Sequence, residues 1–275
     1  MDIRQYMKIE GEKPLDVIKD DGGFCSIFRT IACVGDSLSS GEFEALNEEG
    51  IRSYHDMYEY SWGQYMARAI GSQVYNFSRG GMSAKWYCET FADKKGFWDF
   101  DKRCQAYIIA LGVNDITQVT AGSIELGEIE DIDKTRPSNS KKTFVGYYAQ
   151  IIQRLKINQP QAKFFLVTIP ASDNESPERK ELCDKHQKLL YQLAELFDNT
   201  YVVDLRKYAP VYDDEVRKHF FMSGHMNPMG YILTAKMIMS YIDYIIRNNP
   251  ADFADVGFIG TPWVNVTVKE KKQNG

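Results

Sequence analysis

The chain has 275 residues, 44% of them hydrophobic and 26% charged, which is typical of a globular protein of one or two domains. Its net charge of −5 at pH 7 argues against nucleic acid or an anionic membrane as a partner, because both favour a basic face. No apolar run reaches the roughly 20 residues of a membrane span, and the N-terminus lacks the apolar core of a signal peptide.

The five cysteines are irregularly spaced, and neither a C-x-x-C pair nor an H-E-x-x-H segment occurs. The sequence therefore indicates no zinc site and no redox motif, and we expect neither a metal nor a cofactor. Because disulfides are not indicated and no signal peptide is apparent, we expect a cytoplasmic protein.

Short apolar segments alternate with segments of helical periodicity along the chain. The apolar segments predict five strands, and several of them are nearly continuous in apolar residues, which is typical of parallel strands buried on both faces. Apolar residues spaced three and four apart predict the helices, the last of which begins with Asn227 as N-cap and Pro228 in its first turn. The predicted strands cover residues 28–34, 73–77, 106–111, 163–169 and 200–205, and the predicted helices cover 57–70, 143–157, 177–197 and the segment after 227.

This alternation predicts an α/β fold, a three-layer α/β/α sandwich around a doubly wound, five-stranded parallel sheet. We expect one domain over residues 1–275, with its core at about 28–248 and peripheral extensions at 1–24 and 250–275. The long polar connection at 117–142 fits either a solvated surface loop or a functional segment.

Small and polar residues follow the predicted strands, at the sheet edge where ligands bind in such folds. Residues 35–39 read Gly-Asp-Ser-Leu-Ser, and residues 76–81 read Asn-Phe-Ser-Arg-Gly-Gly. Residues 112–115 read Gly-Val-Asn-Asp, and residues 224–228 read Gly-His-Met-Asn-Pro at the start of the last helix. Together they supply a hydroxyl, an imidazole and amide donors for a developing oxyanion, which are the requirements of acyl transfer.

These four blocks resemble those of the SGNH hydrolases, also called the GDSL esterase/lipase family, over about residues 28–246. The resemblance implies a flavodoxin-like SGNH fold, action on carboxylic esters, and no metal. It also implies that Ser37 is the nucleophile and His225 the general base. The implied oxyanion hole consists of the backbone N–H groups of Ser37 and Gly81 and the side-chain amide of Asn114. Gly81 is chosen because the family glycine lies five residues after the asparagine matched here by Asn76.

The chain departs from the family pattern at Met222, where an aspartate usually lies three residues before the histidine. Loss of the orienting carboxylate costs a Ser-His-Asp triad about 10⁴-fold in rate. We expect a backbone carbonyl to accept the Nδ1–H of His225. Asp213 or Asp214 in the preceding loop is the alternative, although the run at 213–215 reads more simply as a solvated charge cluster. An inactive enzyme is the third outcome.

Further polar residues near these blocks have two interpretations each. We expect Asp36 and Asp115 to hold their turns by hydrogen bonds rather than to act as acids or bases. Arg79 either binds an anionic group of the substrate or lies on the surface, and His55 is a possible substrate contact. His186 lies in a helix between a lysine and a glutamine and is expected to be exposed.

The combined prediction is a serine ester hydrolase that forms an acyl-Ser37 intermediate. No long apolar stripe suggests a lipid-binding lid, which favours short acyl or acetyl groups on a sugar or another small metabolite as substrate. An acyltransferase with the same acyl-enzyme and a non-catalytic ligand-binding module remain alternatives. The sequence does not indicate the oligomeric state.

Overall fold

The computed structural model of the protein describes residues 4–266. The strands, in chain order, are β1 (Thr30–Gly35), β2 (Glu42–Leu46), β3 (Arg52–Asp56), β4 (Gln73–Ser78), β5 (Ala106–Ala110), β6 (Lys163–Val167), β7 (Thr200–Val203), β8 (Phe221–Met222) and β9 (His225–Met226). The helices are α1 (Arg4–Met7), α2 (Ser37–Ser40), α3 (Trp62–Ile70), α4 (Ala84–Trp86), α5 (Ala92–Lys95), α6 (Val113–Thr120), α7 (Phe144–Asn158), α8 (Pro177–Leu196), α9 (Leu205–Tyr208), α10 (Asp214–Phe220), α11 (Pro228–Asn248) and α12 (Pro250–Phe253).

The central sheet has five parallel strands in the order β4-β1-β5-β6-β7, which confirms the predicted α/β architecture. Successive side chains of a strand point to opposite faces, and β1 shows the consequence. Ile31 and Cys33 pack with helices α3 and α11 on one face, whereas Ala32 and Val34 pack with α7 and α8 on the other. Both faces of the sheet are therefore covered, which explains the nearly continuous apolar character of its strands.

The long helices begin at capping residues that can be read from the sequence. The Thr143 hydroxyl accepts the N–H of Gly146 at the start of α7, and the Asn227 side chain accepts the N–H of Gly230 at the start of α11. Helix α3 is shorter than the predicted 57–70, because a 3₁₀ turn and the cap Ser61 precede its first residue. Within residues 4–266, no helix has both the length and the apolar character needed to cross a bilayer.

Two antiparallel hairpins lie outside the predicted elements. The first pairs β2 with β3, so that Glu44 lies opposite Tyr54. The second pairs β8 with β9, so that Met222 lies opposite His225. Both hairpins contribute to the region around the carboxyl ends of the sheet strands described below.

The connection at 117–142 begins as the end of helix α6 and continues through two 3₁₀ turns. An ion pair lies within the segment, where the carboxylate of Asp131 is 2.5 Å from the ammonium of Lys141. The connection also packs on α7, because Gln153 donates a hydrogen bond to the carbonyl of Asp133. The segment thus packs over helix α7 through specific contacts.

The chain before β1 packs along α11. The guanidinium of Arg247 contacts the carboxylate of Glu12 at 2.6 Å, and both side chains are almost fully buried. Beyond α11, Phe253 and Ile259 are buried in the core, so this stretch contributes more than the predicted peripheral extension. The rest of that predicted extension, residues 267–275, lies outside the described residues.

Candidate active site

The strand register brings the predicted blocks together at one edge of the sheet. Gly35, at the end of β1, pairs with Ser78 in β4 and with Ala110 in β5. Because the three strands are parallel and end at the same level, the turns that follow them lie side by side. The structure therefore places the Ser37, Gly81 and Asn114 segments on adjacent turns.

The turn after β1 places Ser37 at the first position of helix α2. The Asp36 carboxylate caps this helix by accepting the N–H of Leu38 at 3.0 Å. Burial raises the pKa of Asp36 to about 7, against the opposing effect of that hydrogen bond. Asp36 therefore holds the turn, while the Ser37 side chain keeps access to solvent.

Amide donors surround this turn. Within residues 4–266, the backbone N–H groups of Ser37 and Gly81 have no protein acceptor. Gly81 has a φ of +74°, a left-handed conformation that glycine adopts without strain. The Asn114 amide donates to the Met82 carbonyl at 3.1 Å and lies 3.4 Å from Asp36 Oδ2, a distance at which a hydrogen bond is weak. The arrangement can supply donors to an oxyanion at Ser37.

Asp115 connects the turn after β5 with the turn after β4. Its Oδ1 accepts the N–H of Ala84 at 2.8 Å, and its side chain is fully buried. Burial raises the pKa of Asp115 to about 7, and Asp36 adds to this increase. Asp115 thus helps to hold the turn after β4 in place, and its carboxylate does not face the solvent.

The expectation of an exposed His186 is wrong. Helix α8 turns this side chain toward the sheet, where it is fully buried with Nε2 3.3 Å from the Leu111 carbonyl. A Cβ at Gly112 would lie 2.5 Å from the same nitrogen, so the ring packs directly under the turn that carries Asn114. Burial lowers the pKa of His186 to about 4, and the neutral ring supports the turn.

His225 lies on the short β8–β9 hairpin, directly after its two-residue turn. Its Nδ1 is 2.7 Å from Oε1 of Glu44, and the same oxygen accepts the N–H of Gly224 at 2.9 Å. Arg52 lies 3.3 Å from the other oxygen, and only 7% of the Glu44 side chain is exposed. Burial opposes ionisation of Glu44, but hydrogen bonds from His225 and Gly224 outweigh it and lower the pKa of this carboxyl.

The expected partners of Nδ1 are therefore wrong. The carboxylate of Asp213 caps helix α10 through the N–H of Val216, and Asp214 forms an ion pair with Arg217 at 2.7 Å. Neither contacts His225, and a side-chain carboxylate takes the place expected for a backbone carbonyl. Glu44, which is not among the predicted site residues, has one local signal: polar and apolar residues alternate at 42–45 shortly before the turn residues at 47–50, a strand-and-turn pattern.

A second carboxylate contacts the other ring nitrogen of His225. Oε1 of Glu42 is 3.1 Å from Nε2, and a side chain at Gly80 would collide with the Glu42 carboxylate. Glu42 therefore lies between the imidazole and the glycine turn. Burial raises the pKa of Glu42, against the attraction of His225. In the described part of the chain, no hydrogen bond joins the Ser37 hydroxyl to His225.

Two predicted contact residues lie further out. Arg79 is exposed, with its guanidinium 6.0 Å from the centre of the Phe91 ring. His55 is exposed on β3, with Nε2 2.9 Å from the Ser53 hydroxyl. Among residues 4–266, no three His, Cys, Asp or Glu side chains are grouped as ligands of a metal ion.

An apolar cavity of about 70 Å³ lies beside the candidate site. Leu38, Val113 and Met226 line it, and these residues are the immediate chain neighbours of Ser37, Asn114 and His225. Its other walls are mostly apolar side chains at the ends of β5 and β6 and on α11. The cavity therefore offers an apolar space next to the three predicted site residues.

Comparison with known proteins identifies one family and several solved structures of similar fold. The model of the GDSL-like lipase/acylhydrolase family matches residues 33–233. A family two carbohydrate esterase from Clostridium thermocellum, solved with cellohexaose, is 16% identical with a TM-score of 0.55, covering 89% of this chain and 67% of that one. A protein from Lactobacillus plantarum is also 16% identical with a TM-score of 0.55, covering 78% of this chain and 97% of that one. No curated protein matches the chain.

Proposed function

The chain belongs to the GDSL-like lipase/acylhydrolase family and is a carboxylic ester hydrolase, and from this premise we propose that it acts through an acyl-enzyme on Ser37. The Ser37 hydroxyl attacks the ester carbonyl while Nε2 of His225 takes its proton and passes it to the leaving alcohol. Water then attacks the acyl group with His225 again as base, which releases the acid and restores Ser37.

The observation that carries this proposal is that the N–H groups of Ser37 and Gly81, which have no acceptor among residues 4–266, lie on adjacent turns at the serine. Donors fixed in advance stabilise the oxyanion without reorganisation, and each is worth about 10²–10³-fold in rate. The second hydrogen of the Asn114 amide adds a third donor once it turns from its long contact with Asp36.

We further propose short acyl groups as substrates. The apolar cavity of about 70 Å³ is roughly half of the ~150 Å³ that accommodates benzene in an engineered protein core. Such a space fits an acetyl group or one slightly larger, but not a fatty acyl chain. The similarity to a carbohydrate esterase makes acetylated sugars the first natural esters to test.

The test is hydrolysis of p-nitrophenyl acetate, butyrate and octanoate by the wild type and by Ser37→Ala. Ser26→Ala, at an exposed residue that precedes β1 in the chain, is the matched control. We expect kcat/KM to fall by roughly 10³-fold or more in Ser37→Ala and to stay unchanged in the control. Acetate should be the best substrate and octanoate the worst. Turnover that survives in Ser37→Ala would contradict the proposal, and binding of esters without turnover would indicate a ligand-binding module.

A further inference from the structure

We propose that Glu44, on the hairpin β2–β3, is the carboxylate that positions His225. It has the role that an aspartate usually has at the position held here by Met222. This inference rests on the proposed function, because His225 matters as a base only if Ser37 is the nucleophile. Glu44 does not touch the substrate in this proposal and acts through the imidazole.

The geometry of Glu44 is that of an orienting group. One oxygen, Oε1, accepts from both the Nδ1 of His225 and the N–H of Gly224, which fixes the imidazole relative to its own backbone. A distance of 2.7 Å is that of a charge-assisted hydrogen bond. The contact therefore holds both the position and the rotation of the ring.

The neighbouring hairpin explains why the carboxylate comes from elsewhere in the chain. Met222 lies directly opposite His225 across the β8–β9 pair, with only Ser223 and Gly224 between them. Ser223 has a φ of 62°, so the chain reverses there within two residues. Strand β2 packs beside β9, and Glu44 reaches the turn at Gly224 from that side. The space next to Nδ1 is thus filled by Glu44.

The chemical consequence concerns the tautomer of His225. A carboxylate at Nδ1 accepts a hydrogen bond, so the neutral ring keeps its proton there and offers the lone pair of Nε2 to Ser37. When Nε2 takes the proton of Ser37, the negative charge of Glu44 stabilises the imidazolium. The proton stays on Nε2 until it passes to the leaving alcohol, and Glu44 remains ionised throughout.

Other charged and aromatic groups also face His225. Glu42, on β2, contacts Nε2. The carboxylate of Asp36, just before α2, interacts electrostatically with the imidazole. The Tyr54 ring packs edge-on against the imidazole with the ring centres 5.8 Å apart, and Arg52 on the same strand contacts Glu44. The negative charge of Asp56 repels that of Glu42 and adds to the increase in the pKa of Glu42. A test must therefore change Glu44 alone and compare its pH profile with that of the wild type.

The experiment measures kcat/KM for p-nitrophenyl acetate against pH in the wild type, Glu44→Ala, Glu44→Gln and Glu48→Gln. Glu48 lies in the turn of the same hairpin and is exposed, so its variant is a control for the loss of one negative charge. We expect Glu44→Ala to lose on the order of 10²–10⁴-fold. Glu44→Gln should recover part of this rate, because its amide oxygen still accepts from Nδ1 and Gly224. The acid limb of its profile should move to lower pH, because no charge then stabilises the imidazolium.

A purely structural role for Glu44 predicts something else. Glu44→Gln would then have the rate of the wild type and an unmoved acid limb, since the amide keeps the hydrogen bonds of the turn. That result, or a loss below threefold in a folded Glu44→Ala, would overturn the proposal. If Glu44→Ala does not fold, the rate and profile of Glu44→Gln decide alone.

The proposed function fails in a different way. A wild type that neither turns over esters nor is labelled at Ser37 by a fluorophosphonate would overturn the acyl-enzyme, and with it the role of Glu44. A wild type that is active and labelled, with Glu44 variants that behave as the control, would overturn only the role of Glu44.

Discussion

Two carboxylates hold the imidazole of His225, Glu44 at Nδ1 and Glu42 at Nε2. In the proposed reaction Nε2 faces Ser37, so the contact with Glu42 and the hydrogen bond from Ser37 compete for one nitrogen. Glu42 also lies against the glycine turn, which in the proposed reaction binds the ester carbonyl. The side chain of Glu42 must therefore move when substrate binds, whereas that of Glu44 stays.

Glu42→Ala should raise kcat/KM for p-nitrophenyl acetate by about two- to fivefold. The reason is that this partly exposed polar contact is worth no more than about 1 kcal/mol, and the variant no longer has to break it before Nε2 faces Ser37. The measurement is the steady-state rate at neutral pH, with Glu48→Ala as the control. A fall of tenfold or more would show instead that Glu42 assists the reaction.

At the scale of elements, the hairpin β2–β3 is what delivers both carboxylates. Side chains alternate along β2, so Glu42 and Glu44 share one face while Phe43 points to the other. Phe43 packs edge-on against Tyr60 with the ring centres 5.6 Å apart, and its ring is tilted against that of Tyr231 with the centres 5.7 Å apart. The hydroxyl of Tyr231 also donates to the carbonyl of Glu42. These contacts anchor the hairpin to helix α11 and set the position of its two carboxylates relative to the sheet edge.

Phe43→Ala should therefore lower kcat/KM by about tenfold while the central sheet stays folded. Truncation of a fully buried phenylalanine costs about 3–5 kcal/mol, and Phe43 is only partly buried, so the loss of stability should be smaller. The check is the esterase rate beside the far-ultraviolet circular dichroism spectrum, with Ala45→Ser on the exposed part of the same strand as control. An unchanged rate would show that the hairpin is positioned by other contacts.

The sequence predicts the parts of the fold whose signal is local. The five sheet strands are short segments rich in apolar residues, several of them nearly continuous, and the caps Thr143 and Asn227 mark the starts of their helices. The hairpin β2–β3 has only a weak local signal, because most of its residues are polar and exposed. Contact between Glu44 and His225 spans 181 residues, and nothing near either residue encodes it.

The error at His186 has a different physical reason. Its sequence neighbours, a lysine and a glutamine, do not share its face of the helix, whereas residues three and four positions away do. Cys183, Leu189 and Leu190 are all buried, and they show that His186 faces the core. The correct signal was present at helical spacing.

At the scale of the whole molecule, ionisable groups are buried beneath the sheet edge. The pKa of Asp115 is raised to about 7, so between about pH 4 and 7 the folded state binds a proton that the unfolded state has released. Stability contributed by Asp115 is therefore present at low pH and lost as pH rises to 7. His186 has the opposite effect: its pKa is lowered to about 4, so stability is lost as pH falls below about 6.5.

Asp115→Asn should raise the melting temperature relative to the wild type, and more at pH 8 than at pH 5. The amide keeps the hydrogen bond from Ala84 but removes the buried charge, and each kcal/mol corresponds to about 2–4 °C in a protein of this size. Thermal unfolding at the two pH values measures the difference. Asp101→Asn, on the surface, should show no such change with pH. An equal shift at both pH values would contradict the assignment of the effect to ionisation.

The spacing of the site residues along the chain also makes catalysis a probe of folding order. Ser37 and Glu44 belong to one short stretch, so β1 and the following hairpin bring them together through local contacts. His225 arrives only when the loop of 181 residues closes and the last helix docks. Non-local closure of this kind is slow relative to local structure. Recovery of esterase activity after dilution from denaturant should therefore report the final docking of α11, later than the recovery of helical signal.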